Sequence, residues 1–239
     1  MIFRQLFERE SSTYTYLLAD ERSRKAALID PVDSELHLYL RLLDELNLEL
    51  IYALDTHVHA DHVTALGLLR ETLGCQTLVG FEGEVDCASS GLKDGQIINV
   101  GDIEIHVLFT PGHTDDSFTF LVEDQGEKYL FSGDTLLIRG TGRTDFQNGD
   151  AGRLYDSLHN KLLTLPDETR VYPGHDYKGW TVSSIGEEKH TNPRLEPATK
   201  EAFIELMNNL DLPNPKMMDV AVPANRTCGL NKNLTGWSV

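Results

Sequence analysis

The heptapeptide Thr-His-Val-His-Ala-Asp-His, residues 56–62, packs three imidazoles and a carboxylate into seven positions. Such groups crowd one another unless a cation, a water network or protons relieve them, so the chain must fold with this stretch where side chains converge. The flanking sequence supplies the place. LELIYALDT reads as a buried strand ending at Thr56, and residues 61–73 read as a helix with Val63, Leu66, Leu69 and Leu73 inward, stopped by Gly74. The motif therefore bridges the C-terminal end of a strand and the start of a helix.

Strands and helices alternate around it. STYTYLLAD and RKAALIDP read as strands joined by a polar turn at Asp20–Ser23, and Ser34 caps a helix to about Asn47 with Leu36, Leu40, Leu43 and Leu46 at helical spacing. Further strands are expected at QTLVG, IEIHVLFT, SFTFLVE, KYLFSGD and TRVYPG, with helices near 151–164 and 197–210 and a proline-rich tail from Pro213. Strands clustered before and after the helices fit two sheets with outer helices better than one parallel, doubly wound sheet.

With 239 residues, 40% hydrophobic and 25% charged, the chain is expected to form one soluble domain, residues 1–239, with a short C-terminal extension from about residue 193. The opening MIFRQLFERESS has no signal-type apolar core, and no run is long enough to span a bilayer, so the cytoplasm is the expected compartment. A net charge of −17 repels phosphate backbones and anionic lipids, which argues against nucleic acid and membranes as partners. Cys75, Cys87 and Cys228 are odd in number and show no ligand-like spacing, so reduced, packed thiols are expected.

Three more candidate ligands follow other expected strands, each beside a glycine where the chain can turn sharply: His113 in TPGHTDDS, Asp134 in FSGDTLL and His175 in YPGHDY. His37, His106, His159 and His190 lack clustered partners and read as ordinary surface or core residues. The order HxHxDH, TPGHT, SGDT, PGHD resembles the metallo-β-lactamase superfamily. That resemblance implies an α/β (α+β) fold, the αββα sandwich, with a metal site at one edge of its sheets. In the superfamily's dinuclear hydrolases His57, His59 and His113 would hold one ion, Asp61, His62 and His175 the other, with Asp134 bridging.

A second resemblance is narrower. SGDTLLIRGTGRTDFQ, YPGHDYKG, EKHTNPRL and VPANRTCG, spread over residues 132–229, look like the persulfide dioxygenases, also called sulfur dioxygenases. One departure is Thr141, where many members of that family carry cysteine. The resemblance implies one Fe(II) held by His57, His113 and Asp134, with His59, Asp61, His62 and His175 orienting ligands and water by hydrogen bonds. Two imidazoles and one carboxylate leave coordination positions open for dioxygen and a sulfur ligand, as in non-haem Fe(II) oxygenases. The implied substrates are glutathione persulfide and O2, and the implied products are sulfite and glutathione. A homodimer is compatible with this reading.

Glutathione brings two carboxylates, so its pocket in an acidic protein should carry arginines. Arg139, Arg143 and Arg226 are the cations within the resembling segments, and Tyr177 could offer a hydroxyl; Arg143 could equally pair with Asp145 and support the Asp134 loop. The C-terminal extension is expected to contribute to this pocket. Two other functions are weighed against the oxygenase. One is a glyoxalase II-like hydroxyacylglutathione hydrolase with a dinuclear site, and the other is a non-catalytic persulfide or metal sensor on the same scaffold.

Overall fold

The computed structural model describes residues 1–80, 87–213 and 217–230. One sheet carries β1 (Ile2–Glu8), β2 (Thr13–Ala19), β3 (Lys25–Ile29), β4 (Glu49–Leu54), β5 (Gln76–Gly80) and β6 (Ser90–Leu92), adjacent in that order. The second carries, in chain order across the sheet, β7 (Ile97–Val100), β8 (Ile103–Phe109), β9 (Phe118–Asp124), β10 (Glu127–Gly133), β11 (Arg170–Pro173) and β12 (Ser183–Ser184). The outer face of the first sheet is covered by α1 (Leu36–Glu45) and α2 (Leu66–Leu73). That of the second is covered by α3 (Ala151–Ser157), the π-helical turn Leu158–Leu162, α4 (Ile185–Thr191) and α5 (Lys200–Asn208). This is the expected αββα sandwich.

Period-two alternation builds the layers. In β2, Tyr14, Tyr16 and Leu18 point between the sheets, where they meet Phe120, Phe131 and Tyr172, while Leu17 and Ala19 point outward to Tyr39, Leu66 and Leu69. Both faces of β2 are buried, which is why its sequence reads as a near-continuous apolar run.

The pairing directions decide where a site can form. β3 and β4 run parallel with Ile29 opposite Leu54, so Asp30 and Asp55 leave the sheet side by side. β10 and β11 also run parallel with Gly133 opposite Pro173, which brings Asp134 beside Gly174 and His175. All of these groups emerge at carboxyl ends of parallel strands, the edge at which open α/β sheets place their ligands.

Several expectations are corrected. The helix expected from Asp61 begins only at Leu66, because the preceding backbone is bonded elsewhere: Ala65 donates to the carbonyl of Pro31 at 2.7 Å, and Thr64 bridges Val32. Gly74 does end the helix, with φ +72°. Ser34 is not a cap, because Asp33–Glu35 form a 3-10 turn before α1. The tail from Pro213, of which residues 214–216 lie outside the described residues, carries a helix, α6 (Met218–Asn225), despite Pro223. Strand β1 also went unforeseen, since the half-exposed IFRQLFE has no clean alternation.

The cysteines are corrected as well. Cys87 and Cys228, separated by 141 positions, form a disulfide with Cα atoms 5.9 Å apart, and only Cys75 remains a buried thiol. Sequence spacing carries no information on a pairing closed by tertiary contact. Among the described residues, no helix is long and apolar enough to cross a membrane.

Asp20, in the β2–β3 turn, ties the two sheets together. Its carboxylate accepts from Ser23 Oγ at 2.6 Å, from the amides of Ser23 and Arg22, and from the amide of Asp102 in the β7–β8 turn at 3.3 Å. The Ser23 hydroxyl is the main reason its pKa falls to about 2. A depressed folded pKa stabilises above the unfolded value and is lost as pH falls through the folded one. Asp20→Ala should therefore lower stability by roughly 1–2 kcal/mol near neutrality, and the gap to wild type should close between about pH 4 and pH 2. Calorimetric melts across that range test this; an undiminished gap at the acid end would refute it.

Candidate metal centre

All seven candidate ligands come from loops at the ends of β4, β8, β10 and β11, with His57, His59, Asp61 and His62 together on the β4–α2 loop. One ligand atom from each of His57, His113 and Asp134 lies within 4.8 Å of the others, and so does one from each of His59, Asp61 and His175. His57, His59, His62 and His175 are buried, while His113 and Asp134 each keep 13% of the side chain exposed. Asp61 keeps 23%, so each group of three reaches solvent through its less buried members, His113 and Asp134 in the first and Asp61 in the second.

Hydrogen bonds fix which nitrogen each imidazole presents. His113 Nδ1 lies 2.7 Å from the carbonyl of Arg143, an acceptor only, so Nδ1 carries the proton and Nε2 keeps its lone pair facing Asp134 Oδ2 at 3.6 Å. Thr56 Oγ1 donates its one proton to Asp30 Oδ2 at 3.0 Å and so accepts from His57 Nδ1, also at 3.0 Å. His57 is left with a free Nε2. His59 Nε2 donates to Asp30 Oδ1 at 3.1 Å, leaving Nδ1 free. Asp30 therefore sets two rings, one through a threonine hydroxyl and one directly.

The electrostatics favour neutral imidazoles. Burial, reinforced by neighbouring histidines, pushes His57 and His59 well below the usual range. His175 goes the other way. Burial opposes its charge, but the carboxylates of Asp134, Asp61 and Asp30 outweigh that and lift it to about 9. Burial alone would raise Asp61, yet His175 and His62 hold it well below the usual carboxylate range.

These groups fit a cation. His59 Nδ1, His62 Nε2 and Asp134 Oδ1 are buried without a hydrogen-bond partner, an arrangement that costs free energy unless an ion or water takes up the lone pairs. The walls are cut to the same shape. A Cβ at Gly142 would meet the main-chain oxygen of Asp134 at 2.4 Å and His113 Cγ at 2.7 Å, and one at Gly174 would meet Asp134 Oδ1 at 2.7 Å. Asp61 Oδ2 is engaged by His62 Nδ1 at 2.9 Å and Thr13 Oγ1 at 3.2 Å, so the second group is partly satisfied from within.

The other candidate residues divide. Arg139 pairs with Glu187 and with the fully buried Glu188, and lies 4.7 Å above the Trp180 ring. Arg143 makes a bidentate pair with Asp145 at 2.7 Å, donates to the carbonyl of Pro213 at 2.6 Å and covers Phe146. Arg226 is exposed and has no ion pair among the described residues. Tyr177 is 72% exposed, with its ring stacked on His175. His37, His106, His159 and His190 stay outside both groups of ligands.

Sequence reasoning missed the supports. Asp116 accepts the amide of Val58 at 2.9 Å and Gln147 donates to its carbonyl at 2.6 Å, pinning the residue between His57 and His59 from both sides. Asp30 sits in a plain apolar strand ending, where only its depth beneath the histidines gives it a role. Gln147 did lie within the RGTGRTDFQ block, whose resemblance was noted as a block rather than residue by residue.

The profile of the Metallo-beta-lactamase superfamily matches residues 9–82 and 90–175. The mitochondrial persulfide dioxygenase ETHE1 of Mus musculus is 48% identical over 96% of this chain and 89% of its own. The crystal structure of ETHE1 from Myxococcus xanthus superposes with a TM-score of 0.92 at 55% identity, covering 96% of this chain and 100% of that one. A metallo-beta-lactamase structure from Staphylococcus aureus superposes at 0.88 with 28% identity, covering 97% and 73%. With its metal-ligand clusters at the strand ends, the chain belongs to the metallo-β-lactamase superfamily and, within it, to the persulfide dioxygenases.

Proposed function

We propose that this chain oxidises glutathione persulfide with O2 to sulfite and glutathione, using one Fe(II) held by His57, His113 and Asp134. The observation that carries the reading is 48–55% identity to persulfide dioxygenases over 96% of the chain, with ligand atoms of these three residues within 4.8 Å of one another. Two neutral imidazoles and one carboxylate are the donor set of non-haem Fe(II) oxygenases, and Fe(II) bound there offers open positions for dioxygen and a sulfur ligand.

The chain's own residues then have separable tasks. Asp30, through Thr56, and the Arg143 carbonyl keep the Nε2 atoms of His57 and His113 unprotonated and aimed at the site. Asp61, His62 and His175, linked through Thr13, form a hydrogen-bonded set beside the triad that orients the water whose attack releases sulfite and glutathione from the oxidised persulfide, a glutathione S-sulfinate. Arg226, exposed on the C-terminal extension and without an ion pair among the described residues, is the cation best suited to a substrate carboxylate. Arg139 and Arg143, already paired with acids, serve to hold the loop that carries Asp134.

The hydrolase reading draws on one observation, the second group formed by His59, Asp61 and His175. Metal content separates the two readings. Active protein should hold about one Fe(II) per chain, Asp134→Ala should lose both iron and activity, and Asp61→Ala should lose less iron. Two zinc ions per active chain in elemental analysis would promote the hydrolase.

Oxygen uptake should require glutathione persulfide and yield sulfite. Rapid cleavage of lactoylglutathione under nitrogen, with no persulfide-dependent oxygen consumption, would overturn the proposal.

Loss of a charge-assisted contact commonly costs about 1.5–3 kcal/mol, roughly a ten- to hundredfold change in binding. Arg226→Ala should accordingly raise KM by that factor with normal iron content, while Arg143→Ala should lower iron occupancy or Tm. Unchanged KM in the alanine variants of Arg139, Arg143 and Arg226 would put the glutathione pocket elsewhere.

A further inference from the structure

The loop from His59 to Thr64 buries His59, His62 and Thr64 and half-buries the residues between them, yet it has few backbone partners of its own. Three of its main-chain groups are met by one side chain from the other end of the chain. Asn225, only 3% exposed, donates from Nδ2 to the carbonyl of His59 at 2.9 Å and to that of His62 at 2.8 Å. Its Oδ1 accepts from the amide of Thr64 at 2.8 Å. Both N–H donors and the carbonyl of the amide are used, and a carboxamide of this length is the side chain that offers this set. An aspartate keeps the acceptor and loses both donors.

The segment carrying Asn225 is pressed onto the same region. The carbonyl of Cys228 accepts from Gly67 at 2.9 Å, and a Cβ at Gly67 would come within 2.6 Å of that oxygen. Gly229, at φ +76°, lies so close to the carbonyl of Thr64 that a Cβ there would sit 2.2 Å away. The Cys87–Cys228 bridge then fastens the segment to the chain that follows β5.

We propose that Asn225 is a positioning residue for the metal centre. With the segment 218–229 it forms a clasp that fixes the backbone of the histidine loop, and the Cys87–Cys228 bridge is its latch. Unmet backbone groups in a buried loop would otherwise drive it toward water and carry the imidazoles with it. Asn225 reaches the iron ligands through this loop, which begins two positions after His57 and carries the residues packed beside the triad; partners that orient a metal site from outside its ligands typically govern about 10–100-fold in metal affinity. The inference rests on the metal site proposed above but not on the substrate.

The test is anaerobic Fe(II) titration of the full-length metal-free protein against a competing chelator, well below its Tm. Asn225→Ala and Asn225→Asp should each bind Fe(II) roughly ten- to hundredfold more weakly. Thr227→Ala is the control. Its hydroxyl donates to the carbonyl of Ala224 at 2.8 Å in the same turn without touching the loop, so it should lower Tm and leave affinity unchanged. For the latch, Cys87→Ser should speed amide exchange at Gly67 and weaken Fe(II) binding less than Asn225→Ala does. Wild-type affinity in Asn225→Asp, or an equal loss in Thr227→Ala, would overturn the positioning role. Unchanged exchange at Gly67 would overturn the latch. A wild-type chain that takes up no Fe(II) would overturn both the clasp and the metal site, whereas failure of the variants alone would leave the metal site standing.

Discussion

One buried carboxylate, that of Asp30, lies beneath the histidine loop, and the donor geometry of the centre depends on it. Burial alone raises its pKa, a cost that is offset by hydrogen bonds from the amide and hydroxyl of Thr56 and by the nearby imidazoles. Burial and the charge of Asp30 also raise its neighbour Asp55 well above the usual carboxylate range. The Asp30 carboxylate lies under His59 and behind Thr56, where it accepts one imidazole proton directly and orients another by relay. Each ring is left with its free nitrogen aimed inward. Asp30 takes a left-handed backbone, φ 52°, to reach this place, a conformation that aspartate tolerates better than most residues.

The same loop is gripped from three further directions. Asp116 comes from the β8–β9 connection, Gln147 from the segment before α3, and Asn225 from the tail. A binding loop is ordinarily the mobile part of a fold, but here its backbone polar groups are met by side chains rather than by water. Small residues do the complementary work where side chains would intrude, as Gly142 and Gly174 do against Asp134. The backbone of the site is held by these contacts, and the site reaches solvent through His113, Asp134 and Asp61.

Much of this was legible in the sequence, because ligands and layers leave local signals. Alternation in TYTYLLA and KYLFSG marks strands sandwiched between layers, and a histidine or aspartate beside a glycine marks a turn that presents a side chain. What stayed hidden was long-range. Nothing near Asn225 or Cys228 announces a partner more than a hundred positions away, and α6 contains a proline that argues locally against a helix. The early helix start failed for a related reason. Residues 61–65 have helical composition, but their amides and carbonyls are claimed by Pro31, Val32 and Asn225. Asp145 lies two positions from Arg143, so that pair was open to sequence reasoning, whereas only the fold reveals Glu187 and Glu188 on Arg139.

Among the described residues the two sheets are built without interleaving: residues 2–92 supply the strands of the first and residues 97–184 those of the second, each strand pairing with its neighbour in sequence. Each half of the chain can therefore assemble its sheet through short loop closures, in the order in which a ribosome delivers it. The metal centre breaks this independence, because His57, His59, Asp61 and His62 belong to the first half while His113, Asp134 and His175 belong to the second. Both groups, His57–His113–Asp134 and His59–Asp61–His175, are thus complete only when the two halves dock. Metal capture during refolding would then act as a clock for the last step of assembly, the meeting of two preformed layers.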